Sequence, residues 1–97
     1  MIELKVSYNP PFRDLTLIPG EEFQLQEGET IKDLIEKLEE KYGEKFSKEV
    51  WDKKSDDGFH DRLAIIVNGN SYRGDDFLTK KLDNGATVWF AHSFFGG

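Results

Sequence analysis

The sequence predicts an α+β domain in which one long helix packs on one side of a sheet of four to five strands. Two observations predict it. Several short stretches alternate apolar and polar residues with the period of two that a half-buried strand requires. Between them a single stretch, from about 31 to 42, carries apolar residues at helical spacing instead. The order is strand, strand, long helix, strand, short strand, strand. One helix cannot cover both faces of a sheet, so it packs on one.

Each element follows from its residues. Ile2, Leu4, Val6 and Tyr8 alternate with Glu3, Lys5 and Ser7, and "NPP" ends that strand because proline cannot donate to a ladder. "RDLTLIPGE" reads as a loop or irregular turn. "EFQLQ" reads as a second strand, hairpin-like and so antiparallel to the first. In "EGETIKDLIEKLEEKYG", Thr30 is a suitable N-cap and Asp33 the acid of a shortened capping box. Ile31, Leu34, Ile35, Leu38 and Tyr42 then lie on one helical face, and Gly43 stands where a left-handed C-cap belongs. In residues 44–61, Ser47 is the candidate cap of a short helix carrying Val50 and Trp51, and "SDDG" reads as a turn. "LAIIVNGNSYR" is a strand, a type I′ turn at Asn68-Gly69 and a short return strand. "DDFLTKKLDNGA" reads as a loop with one helical turn, and "TVWFAHSF" as the last strand, whose direction the pattern leaves open.

Composition narrows the function. At 97 residues the chain makes one domain and not two. A net charge of −6 argues against nucleic acid as the main partner, since phosphate binding needs a basic face. The absence of cysteine removes disulfides, thiolate catalysis and cysteine-ligated metals together. No apolar run approaches the roughly 18 residues of a membrane span. The start, "MIELKVSYNP", predicts no signal peptide, and the cytoplasm is the expected location.

The chain ends "AHSFFGG", two aromatic residues running into two glycines behind a strand. Here the sequence resembles the MoaD/ThiS family of sulfur carriers. "FRDLT" followed by Gly20, then "EGETIKDLIEKLEEKYG", is similar to the family's first loop and helix. "LAIIVNGN" is similar to its third strand and turn, and "LDNGATVWFAHSFFGG" to its closing segment. The resemblance covers nearly the whole chain. It implies the ubiquitin-like β-grasp fold, with a mixed sheet, and a single domain over 1–97 ending in a flexible tail at 94–97. It also implies a mechanism. The Gly97 carboxylate is adenylated by a separate E1-like enzyme of the MoeB or ThiF kind, which consumes ATP, and is then converted to a thiocarboxylate. A sulfur-acceptor synthase subunit, MoaE-like or another, receives the sulfur, with molybdopterin synthesis the leading pathway. Gly96 and Gly97 would thread the partner's active site, where a Cβ would not fit. Phe94 and Phe95 depart from the small or proline-rich residues usual before the glycines, and are candidate partner anchors. The protein is then a carrier and substrate rather than an enzyme, though countable as the small subunit of a synthase such as molybdopterin synthase. It has no catalytic residue and binds no cofactor of its own. Two alternatives stay open: a modifier joined to lysines through Gly97, and a β-grasp binding module.

The remaining polar and aromatic residues have plainer readings. "DDGFHD", residues 56–61, matches no metal-ligand spacing and is read as a solvated loop, so no metal is expected. His92 is read as a half-buried strand residue. Trp51 and Trp89 are read as core or core-edge aromatics, Lys80 and Lys81 as a solvated loop pair, and Arg13 as a structural residue holding its loop or a carboxylate.

Overall fold

A computed structural model describes residues 1–56, 58–72 and 75–93. Five strands form one mixed sheet: β1 (Ile2–Tyr8), β2 (Gly20–Leu25), β3 (Leu63–Val67), β4 (Asn70–Tyr72) and β5 (Thr87–His92). Their spatial order is β2-β1-β5-β3-β4. β5 lies between β1, which it pairs in parallel, and β3, which it pairs antiparallel. The direction that pattern left open is therefore set by a crossover from one edge of the sheet into its middle. The first pair is antiparallel, with Ile2 opposite Leu25 and Ser7 opposite Gly20. This is the β-grasp arrangement.

The helix α2 (Ile31–Tyr42) has the expected bounds. Thr30 and Asp33 form the reciprocal capping box. The Thr30 N–H donates to Asp33 Oδ2 at 2.8 Å, and the Asp33 N–H to Thr30 Oγ1 at 3.4 Å. Ile31, Leu34, Ile35 and Leu38 are buried against the inner face of the sheet, where Leu4, Val6, Ile65, Val88 and Phe90 are also buried. At Asn68 and Gly69 φ is 50° and 85°, positive at both positions as a type I′ turn requires. "DDFL" forms the expected single helical turn, α4 (Asp75–Leu78).

Three local expectations are corrected. The segment "FRDLT" is a short helix, α1 (Phe12–Thr16), and not a loop. Five residues are too few for a helical period to show. Tertiary packing holds it, because Phe12 is wholly buried and its ring lies 5.1 Å from Phe46 and 5.7 Å from Phe90. Gly43 has φ 84° and ψ −165°, outside the left-handed helical region, and it ends α2 while opening α3 (Glu44–Val50). Ser47 therefore lies inside α3 rather than at its start. Its hydroxyl donates to the Glu39 carboxylate, which also accepts from Trp51 Nε1 at 3.2 Å. Lastly, Trp89 is exposed, on the outer face of the sheet. Its neighbours Val88 and Phe90 point inward, and alternation sends Trp89 out. Trp51 is a core-edge aromatic as expected.

Candidate functional site

The last strand ends at His92, where the chain exits the sheet, and Ala91 and His92 pair with Ala64 and Leu63 of β3. The Ser93 N–H donates to the Arg62 carbonyl at 2.7 Å, extending that anchorage by one residue. Phe94, Phe95, Gly96 and Gly97, the residues for which the sequence proposes a function, lie outside the described residues.

Beside this exit is a cleft of about 460 Å³ lined by Pro10, Pro11, Asp14, Glu49, His60, Arg62, His92 and Ser93. Its floor is assembled from distant parts of the chain. Glu49 belongs to α3, and His92 to β5. His60 follows a bridge between Trp51 and Phe59, whose rings stack at 5.1 Å, and its own N–H donates to the Val50 carbonyl at 2.8 Å. The two imidazoles stack with centroids 4.3 Å apart and planes 26° apart. His92 Nε2 lies 2.8 Å from the Glu49 carbonyl oxygen, which can only accept, so this nitrogen carries the proton. The same nitrogen lies 3.5 Å from Glu49 Oε2. His60 Nδ1 accepts from the Arg62 N–H at 3.2 Å. Edge-on contact with Phe12, centroids 5.3 Å apart, closes the inner side of His92.

Burial lowers the pKa of His92 below the ordinary imidazole range, against the opposing hydrogen bond to the Glu49 carbonyl and with help from the neighbouring His60. His92 is thus the half-buried strand residue the sequence suggested. The stretch 56–61 is not a solvated loop throughout. Asp56 and Asp61 are exposed and Asp57 is outside the described residues, but Phe59 is buried in the core and His60 is half-buried beside His92. Spacing along the chain missed this grouping because its members are 11 and 32 residues apart, on separate elements. The one available signal was Phe59, an aromatic amid charged residues, which marks a point where the loop returns to the core.

The other candidates are placed as follows. The Arg13 carbonyl accepts from the Leu17 N–H at 2.9 Å, closing α1, whereas its side chain pairs with no carboxylate among the described residues. Lys80 is half-buried, and its carbonyl accepts from the Ile31 N–H at 3.1 Å, so the loop latches the start of α2. Lys81 is exposed as expected.

Comparison with known proteins agrees with this architecture. The model of the ThiS family matches residues 6–97. A protein assigned as molybdopterin converting factor, subunit 1, from Pyrococcus furiosus shares 30% identity over 96% of this chain and 99% of its own, with a TM-score of 0.75. The small archaeal modifier protein 1 from Methanosarcina acetivorans is 22% identical over 100% of this chain and 98% of its own, with a TM-score of 0.77. A chain of the BexX/CysO complex from Amycolatopsis orientalis is 18% identical over 97% of this chain and 99% of its own, with a TM-score of 0.69. The latter two likenesses concern the fold alone. No curated protein sequence matches the chain.

Proposed function

The chain belongs to the ThiS family of small ubiquitin-like sulfur carriers, and from that premise we propose that its Gly97 carboxylate is the atom group that carries the sulfur. The observation that carries the proposal is that the family match runs through residue 97, so that Gly96 and Gly97 fall within it. A carboxylate with a reference pKa of about 3.3–3.7 is ionised at neutral pH and is a ready oxygen nucleophile. One of its oxygens attacks the α-phosphate of ATP on a separate adenylating enzyme. The α–β phosphoanhydride bond breaks, pyrophosphate leaves, and an acyl-adenylate forms. Sulfide, or the terminal sulfur of a persulfide, then attacks the acyl carbon and expels AMP. With sulfide the product is the thiocarboxylate directly. With a persulfide it is an acyl disulfide, which a second thiol reduces to the thiocarboxylate. Glycine at 96 and 97 suits a tail that must enter narrow sites on two different enzymes.

The domain itself supplies the handle and the mounting, and the chemistry resides in its partners. Pairing of Ala91 and His92 with β3 fixes the last strand residues that precede the tail in sequence. The likeness to the molybdopterin converting factor subunit supports a pterin pathway, with an adenylating enzyme and a larger synthase subunit as successive partners. A chain with this fold is found in the BexX/CysO complex, so the fold is compatible with docking on a partner protein.

Intact-mass measurement after incubation with ATP, a sulfur donor and a cognate adenylating enzyme tests this. A gain equal to exchanging one oxygen for one sulfur, lost when Gly97 is removed, is the expected result. No gain, with the enzyme active on another carrier, would leave a β-grasp binding module instead. A second outcome, conjugation to lysine through Gly97, would appear as adducts surviving reducing denaturation.

A further inference from the structure

Glu49, His60 and His92 each offer one ligand atom, and these atoms lie within 4.8 Å of one another. All three residues are half-buried, and all line the cleft beside the chain's exit from the sheet. We propose that they form a binding site for a divalent cation of the zinc class, with an open coordination position facing the cleft. The proposal does not rest on the sulfur-carrier reading, and it departs from the expectation, drawn from residues 56–61 alone, that no metal binds.

The donor set decides the class of ion. Two imidazole nitrogens with one carboxylate oxygen suit zinc and its borderline neighbours, while calcium and magnesium prefer all-oxygen shells. Ligands around tetrahedral zinc, at about 2.0–2.2 Å from the ion, stand roughly 3.4 Å apart. The Glu49 Oε2 to His92 Nε2 distance of 3.5 Å already meets this. Closing the third side requires side-chain movement on the order of 1 Å.

Loading also requires a rearrangement of protons. His92 Nε2 currently donates to the Glu49 carbonyl, so it must release that bond and pass its proton to Nδ1, and His60 must give up the bond that its Nδ1 accepts from the Arg62 N–H, both rings staying neutral. Charge is mixed around the cleft. Arg62 opposes a cation, while the Asp14 and Glu49 carboxylates favour one. Three protein ligands leave a position for water or an incoming group, as in zinc sites that are not closed. An ion here would join α3, the 59–62 segment and the end of β5, directly before Ser93, and would stiffen the root of the tail.

The test is zinc titration of the full chain after chelator treatment, followed by calorimetry and by NMR of the two imidazole rings. One equivalent of zinc should bind, with ring signals of both His60 and His92 shifting together. Cobalt in its place should give the intense visible absorption of a tetrahedral site. His60→Asn and Glu49→Gln should each weaken binding by at least about tenfold. Both residues are partly exposed and outside the core, so these variants are expected to fold, and far-UV circular dichroism checks that. No binding to the native chain would overturn the proposal. So would unchanged affinity in both variants, or zinc binding that leaves the two rings unperturbed.

Discussion

Glu21 shows how much one side chain can organise. It lies on β2 near the edge of the sheet, and its carboxylate accepts from the hydroxyls of Tyr8, at 2.8 Å, and Tyr42, and from the Lys41 ammonium. Burial alone would raise its pKa, but the hydrogen bonds from Lys41, Tyr42 and Tyr8 outweigh that and hold it below the usual carboxylate range. Burial and the same carboxylate push the Tyr8 phenol far upward, so it remains a donor throughout the working range. Because the folded-state pKa of Glu21 is depressed, its contribution is full above the unfolded value of about 4.3 and is lost as pH falls through the folded value. Glu21→Gln should therefore cost about 1–2 kcal/mol near neutral pH. The difference from the native protein should shrink in acid, as read by urea unfolding across a pH series. A constant difference down to low pH would mean that the carboxylate's charge plays no part.

At the scale of elements, α2 is a helix whose N-terminal signals and apolar face agree with its environment. Its cap, its apolar face and its last turn with Lys41 all favour a helix before any packing is considered. Thr30→Ala removes the acceptor for the Asp33 N–H and should lower stability by about 1 kcal/mol. Thermal unfolding measures that, and an unaltered melting temperature would show that the latch from Lys80 alone holds the helix start. The smaller helices α1 and α3 are different. They exist because Phe12, Phe46 and Val50 have no exposure to solvent and must dock. β2 also has a local constraint that propensity does not reveal. A Cβ at Gly20 would come within 2.8 Å of the Val6 carbonyl oxygen, so this strand begins at a position where the neighbouring backbone leaves room only for glycine.

For the molecule as a whole, the division of labour between domain and tail can be checked directly. Every residue of the described core lies between Ile2 and Ala91. A chain ending at Ser93 should therefore keep its melting temperature to within about 2 °C, while losing all of the mass gain described above. A large drop in stability would instead give Phe94–Gly97 a structural part. Among the described residues no helix is long and apolar enough to cross a membrane.

What the sequence by itself determined is the set of elements with strong local signals, and the family. The alternation of β1, the capping box and apolar face of α2, and the Asn68-Gly69 turn each encode their structure within a few neighbouring residues. The tail motif, together with element order, likewise pointed to the family without coordinates. Only the tertiary structure decided the parallel pairing of β5 with β1, the docking of α1 and α3, the exposure of Trp89 and the grouping of Glu49, His60 and His92. The physical reason is the same in each case. These features arise from contacts between residues far apart in the chain, and no local period or spacing records which distant residues the fold will bring together.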